Sequence, residues 1–202
     1  MLTLRKLAIT GGLSCGKSTV CRIFKELGAY TVSADDVVHQ LLSSNADIIK
    51  KVVQSLGKDI LVDQKIDRSL VANIVFKNDQ LLKSLEEIVH PATYKEIDNA
   101  YRIQLEKTNR PSLFVAEIPL LFESHGEATY DFTVAVVASP LVCINRFCKK
   151  TGLSTSEYEK RTARQLSMRE KAEQADYVII NNGTLEELNE MVKQIYFESL
   201  TS

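Results

Sequence analysis

Eight consecutive residues, Gly11-Gly12-Leu13-Ser14-Cys15-Gly16-Lys17-Ser18, carry the most explicit chemistry in the chain. Glycines at both ends let the backbone turn with no Cβ in the way, so that successive N–H groups point inward at an anion. The stretch that follows has Val20, Ile23, Phe24 and Leu27 at helical spacing, and the N-terminus of such a helix adds partial positive charge. Lys17 can reach β- and γ-phosphate oxygens as a point charge, and the Ser18 hydroxyl can bind Mg²⁺. The pattern Gly-x-x-x-x-Gly-Lys-Ser/Thr between a strand and a helix therefore predicts a nucleoside triphosphate with Mg²⁺. The cradle comprises Gly12, Leu13, Ser14, Cys15, Gly16, Lys17, Ser18 and Thr19. A plain strand-to-helix turn would use the glycines but would not require Lys-Ser at that offset.

Charge marks a second region. The formal net charge of −1 conceals a segment from Arg146 to Lys171 with eight basic and three acidic residues, a local excess of +5. A near-neutral chain is a poor polynucleotide binder, whereas a local basic patch suits a small, highly charged ligand. The segment reads as a lid that closes over phosphates. Lys150, Lys160, Arg161 and Arg164 are lid candidates, and a solvated helix face paired with Glu157 and Glu159 is the plainer reading of each.

These residues need a frame. Arg5–Thr10, Tyr30–Ser33, Leu113–Ile118, Thr133–Ala138 and Tyr177–Ile180 read as short buried strands, and amphipathic helices separate most of them. Alternating strands and helices predict a parallel sheet, whose ligands bind at the C-terminal strand ends. Ser33 to Leu113 is helical in pattern and far too long for an ordinary crossover, with Ile66–Phe76 as one of its helices. Ser154 with Glu157 and Thr184 with Glu187 have capping-box spacing. The expected fold is an α/β, three-layer P-loop NTPase with a parallel five-stranded sheet. One domain spans 1–202, with a core at 1–34 and 111–202, a helical insert at about 35–110 and a lid at about 146–171.

Composition agrees with a folded domain. At 202 residues, 45% hydrophobic and 25% charged, the chain buries roughly 70% of its unfolded surface and falls outside disordered and collagen-like classes. No apolar run reaches the ~20 residues of a membrane span. Four cysteines without Cys-x-x-Cys spacing suit free thiols in a cytoplasmic setting. The chain lacks the Asn-Lys-x-Asp and Asp-x-x-Gly patterns of GTPases and the Gly-x-Pro-Gly opening of adenylate-kinase-like loops. A small-molecule kinase remains.

From Leu7 to Gly183 the sequence resembles the dephospho-coenzyme A kinase family. The carriers are Thr10-Gly-Gly, Ser33-Ala34-Asp35, Ile66-Asp67-Arg68, His90-Pro91, Pro119-Leu120-Leu121-Phe122-Glu123, Arg146, Gln165, Ala175-Asp176 and Asn181-Asn182-Gly183. The resemblance implies transfer of the ATP γ-phosphoryl group to the ribose 3′-hydroxyl of dephospho-coenzyme A, while charge and the lack of a long apolar run predict no nucleic-acid or membrane partner. It makes Asp35 the general base beside Lys17 and Arg146 as catalytic residues. The plainer reading of Asp35 is a helix N-terminal carboxylate that satisfies backbone amides, a part Asp36 could equally play. Arg146 would hold ATP phosphates, and Asn181, Asn182 and Gly183 would meet the adenine, although Asn-Gly is also an ordinary turn signal. Ser18 and Glu117 would serve Mg²⁺, with a plain edge carboxylate the other reading of Glu117. Arg68 and His90 would touch the acceptor. Alternatively Arg68 is a surface ion-pair partner, and His90 precedes a helix that starts at Pro91.

Three positions depart from the family pattern. Ser33 stands where an aspartate is usual, Ser14-Cys15 replaces Gly-Ser inside the loop, and Cys143 replaces a glutamine one turn before Arg146. Cys15, beside Lys17 at a helix N-terminus, is a candidate for a lowered thiol pKa. Another small-molecule kinase of nucleoside, gluconate or shikimate type is the rival enzyme reading. A nucleotide-gated regulatory module is the rival outside catalysis.

Overall fold

The computed structural model describes residues 4–201. In chain order the elements are β1 (Lys6–Gly11), α1 (Lys17–Glu26), β2 (Tyr30–Ser33), α2 (Ala34–Ser44), α3 (Ala46–Leu56), β3 (Leu61–Val62), β4 (Lys65–Ile66), α4 (Arg68–Val75) and α5 (Asp79–Glu106). There follow β5 (Phe114–Glu117), β6 (Phe132–Val137), α6 (Pro140–Thr151), α7 (Thr155–Thr162), α8 (Met168–Gln174), β7 (Tyr177–Ile180) and α9 (Leu185–Thr201). Two compact units result, one built from residues up to Ser33 and from Arg102 onward, the other from Ala34–Tyr101. The second division falls within α5.

The first unit holds the expected parallel five-stranded sheet, in the order β2-β5-β1-β6-β7. β1 sits at its centre, with Leu7 opposite Val115 on one side and Phe132 on the other. Central parallel strands are covered on both faces and read as continuous apolar runs, and Leu7, Ala8 and Ile9 are accordingly fully buried. Val20, Ile23 and Phe24 of α1 and Leu188, Val192 and Ile195 of α9 join the same core. Each such side chain contributes about 1.5–3 kcal/mol.

Polar clasps set the register at the far edge of the sheet. Asp176 accepts from the Thr133 amide at 2.8 Å and from its hydroxyl at 2.7 Å, and the Asp176 amide donates back to that hydroxyl. The Ala175-Asp176 motif thus ties the start of β7 to β6. Thr184 and Glu187 exchange both bonds of a capping box ahead of α9. Ser154 caps Glu157 in one direction, while the Glu157 carboxylate pairs with Lys160. A further box that the sequence reading missed joins Ser167 and Glu170 at the start of α8.

The second unit has its own apolar cluster, including Leu41, Ile48, Val52, Ile60 and Val71. The helix expected at Ile66–Phe76 is shorter. Lys65–Ile66 pairs antiparallel with Leu61–Val62, and Asp67 caps α4 through the Ser69 and Leu70 amides, so the helix begins at Arg68. Pro91 was read as a possible first helical residue but lies inside the 28-residue α5. There it forgoes the bond to the carbonyl four residues back.

Lys171 also differs from its sequence reading. Counted with the lid charges, it is instead fully buried. Its ammonium donates to the Pro119 carbonyl at 2.6 Å and pairs with Glu123 at 2.9 Å. Glu123 Oε1 also accepts from the Leu166 amide, and the Thr10 hydroxyl donates to the same Pro119 carbonyl. The node joins the end of β1, the exit of β5 and the approach to α8. Removing one partner of a buried pair strands the other charge. Lys171→Met is therefore expected to cost about 3–5 kcal/mol, lowering the calorimetric Tm by roughly 6–20 °C.

Candidate active site

The turn from β1 into α1 demands two residues in conformations that side chains resist. Gly11 has φ 141° and Gly16 φ 102°. A Cβ at Gly11 would overlap the Val136 carbonyl oxygen, and one at Gly16 would overlap the Asn181 amide. Gly16 is the N-cap of α1 and supplies no side-chain hydrogen bond. No side chain caps this helix end, which leaves it open to an anion, while the Thr19 amide donates to the Gly16 carbonyl at 3.0 Å. Ser14 is also left-handed, at φ 59°, which costs a non-glycine residue roughly 1–2 kcal/mol.

The loop carbonyls are taken up from behind. Buried Lys17 donates through Nζ to the Gly12 carbonyl at 2.9 Å and the Gly11 carbonyl at 3.2 Å. Asn181 Nδ2 donates to the Cys15 carbonyl at 2.7 Å, and Arg146 Nη1 bridges that carbonyl and the Asn181 carbonyl at 3.5 and 3.1 Å. Lys17, Cys15, Arg146 and Asn181 therefore meet around one loop. Asn181 was expected at the adenine; its side-chain donor is committed to the loop backbone. Asn182 accepts from the Ser139 amide just before α6. A side chain at Gly183 would strike the Glu187 carboxylate that completes the α9 cap.

Ser18 donates to Glu117 Oε1 at 3.2 Å. A hydroxyl and a carboxylate at the end of β5 are hard oxygen donors, the set that Mg²⁺ takes alongside waters and phosphates. The same carboxylate and burial push the Cys21 thiol up, burial being the larger cause. Cys15 Sγ lies 3.1 Å from Cys143 Sγ on α6 and 3.3 Å from Met168 Sδ on α8. The hydrogen bond from Cys143, with the Lys17 charge behind it, outweighs burial and lowers the Cys15 pKa to about 7.

A sequence model of the family described as "Dephospho-CoA kinase" matches residues 5–187. The chain belongs to the dephospho-CoA kinase family. It is 54% identical to the dephospho-CoA kinase of Protochlamydia amoebophila over 198 residues, 98% of each chain. The solved dephospho-CoA kinase of Campylobacter jejuni superposes with TM-score 0.70 at 29% identity, covering 97% of each chain. A solved protein of Thermus thermophilus gives TM-score 0.82 at 28% identity over 98% of each. The family is one of ATP-dependent kinases, and the loop is its P-loop.

Other residues singled out from the sequence belong to the second unit. Asp35 and Asp36 occupy the exposed first turn of α2, where negative charge is favoured. Arg68 is exposed at the start of α4, and His90 is half-buried within α5 before Pro91. A hollow of about 210 Å³ in this unit is bordered by Val37, Gln40, Leu41, Ser44, Asn45 and Glu96. Of the lid candidates, Lys160 pairs with Glu157 and Arg161 lies over the Phe147 ring.

The reading from sequence missed two supports of the P-loop, the Asn181 brace and Met168, whose side chain would touch a Cβ at Gly12. Asn181→Ala leaves the Cys15 carbonyl with Arg146 alone. The expected outcome is a rise of about tenfold in KM for ATP, equivalent to ~1.4 kcal/mol. Steady-state kinetics at a temperature well below the Tm of the variant measure it.

Proposed function

We propose that this chain transfers the γ-phosphoryl group of ATP to the ribose 3′-hydroxyl of dephospho-coenzyme A, forming coenzyme A and ADP in the last step of coenzyme A synthesis. The observation that carries the reading is the P-loop, with α1 opening on left-handed Gly16 and Lys17 beside the turn, in a chain that matches this family over residues 5–187.

The roles follow from the chemistry. Amides of residues 12–19 hold the triphosphate, and Lys17 exchanges its loop carbonyls for β- and γ-phosphate oxygens. Arg146, seated behind Cys15, adds a cation to the same loop. The acceptor oxygen bonds to the γ-phosphorus as the bond to the bridging oxygen of ADP breaks. The transition state of such a transfer is loose, so positioning of the hydroxyl outweighs its early deprotonation. Asp35 orients that hydroxyl and takes its proton. It lies two residues beyond Ser33, which pairs with Glu117 at the end of β2. Ser18 and Glu117 would hold Mg²⁺, which when bound neutralises charge on the phosphate oxygens. Arg68 and His90 serve the acceptor, and Asn182 and Gly183 border the base of the nucleotide. Four free thiols among the described residues support a reducing, cytoplasmic setting.

The purified chain is expected to release ADP and form coenzyme A from ATP, Mg²⁺ and dephospho-coenzyme A, as read by chromatography and mass. ADP release with shikimate, gluconate or a nucleoside but not with dephospho-coenzyme A would overturn the assignment. Asp35→Asn is expected to lower kcat by about a hundredfold or more with the Kd for ATP unchanged in calorimetry. An unaltered kcat removes Asp35 from the chemistry.

A further inference from the structure

Two cysteines 128 residues apart in sequence come together in the fold. Cys15, inside the P-loop, and Cys143, on α6, bring their sulfurs to 3.1 Å. Both side chains are fully buried, and the Met168 thioether lies on the other side of Cys15 at 3.3 Å. Two thiols at this separation need to approach by only about 1 Å to reach a disulfide bond length.

We propose that Cys15 and Cys143 form a reversible oxidation site, in which hydrogen peroxide converts the pair into a disulfide that ties the P-loop to α6 and weakens ATP binding. Peroxide is small and uncharged, the class of oxidant that reaches a thiol closed to bulkier reagents. The Cys15 sulfur attacks one peroxide oxygen, the O–O bond breaks, and the departing hydroxide takes the thiol proton to leave as water. Cys15 is then a sulfenic acid. The Cys143 sulfur attacks the Cys15 sulfur, the S–O bond breaks, and the hydroxyl leaves as a second water with the Cys143 proton. Two thiols are oxidised to one disulfide while one peroxide is reduced to two waters.

The surroundings favour each half of the sequence. The hydrogen bond with Cys143, with Lys17 of α1 nearby, outweighs burial and lowers the Cys15 pKa, so that a thiolate is populated near neutral pH. The Cys143 thiol is held up first by its hydrogen bond with Cys15 and then by burial, and the first of these is lost once Cys15 carries a neutral sulfenic acid. Arg146, three residues along α6, and Tyr158 of α7 act to lower Cys143.

The consequence for nucleotide is geometric. The Cys15 carbonyl is the one braced by Asn181 and Arg146, and the cradle amides of Gly16 and Lys17 follow it directly in the chain. A displacement of about 1 Å at a positioning element can cost about a hundredfold in rate.

The test treats wild type and Cys143→Ser with graded hydrogen peroxide. It reads intact mass, the linkage of tryptic peptides, and calorimetric ATP binding before and after dithiothreitol. Wild type is expected to lose 2 Da, yield a peptide pair joined at 15 and 143, weaken at least tenfold in ATP affinity and recover with dithiothreitol. Cys143→Ser is expected to hold its ATP affinity over the same doses; Cys143→Ala serves in its place should the serine variant fail to fold. Absence of the 15–143 linkage, linkage with unchanged ATP affinity, or equal loss of affinity in the Cys143 variant each overturns the proposal. The linkage and binding measurements need no acceptor, so they stand apart from the assignment of the phosphoryl acceptor.

Discussion

A backbone that offers its amides to an anion must dispose of its carbonyls elsewhere, and the first unit is organised around that division. Between Gly11 and Lys17 the chain turns through two left-handed glycines, and the carbonyls thrown to the rear meet donors from three separate places in the sequence. Lys17 serves Gly11 and Gly12, while Asn181 and Arg146 converge on Cys15. An unmet buried carbonyl costs about as much as a lost hydrogen bond. The loop therefore holds its shape only where β7 and α6 deliver those donors. The sheet order does this by placing β6 and β7 in succession beside β1.

The rear of the loop is also lined with sulfur. Cysteine at 15 and at 143, with Met168 beside them, forms a cluster of three sulfurs. Sulfur packs well against irregular surfaces, which suits a seam between a strained loop and the helices α6 and α8. The cost is chemical, because the hydrogen bond with Cys143, with the Lys17 charge behind it, lowers the Cys15 thiol pKa below that of an ordinary cysteine.

Much of this was legible in the residues. All five strands of the sheet fell within a residue or so of their expected ends, because short apolar runs between turn signals have few alternatives. The P-loop was legible because Lys-Ser at a set distance from glycine has a chemical rather than a merely conformational meaning. Lys171 was not legible. Its basic neighbours suggested a solvated face, and only its partner Glu123, 48 residues earlier, makes burial tolerable. The Asn181 brace was not legible for a related reason: an asparagine in a turn can offer its amide in several directions, and the Cys15 carbonyl it meets is 166 residues away. Pro91 was read through local rules alone, and packing of Val89 and Ile97 on either side holds the helix through it.

The position of β1 bears on how the chain assembles. It is the earliest strand in sequence and the middle strand of the sheet, yet its neighbours start only at Phe114 and Phe132. The residues of Ala34–Tyr101, by contrast, draw their core from one uninterrupted stretch. During synthesis the nucleotide loop must therefore wait, its apolar strand unpaired, until more than a hundred further residues have left the ribosome. This order of events leaves β1 an apolar, unpaired strand for most of the synthesis of the first unit, the kind of exposed segment that invites aggregation.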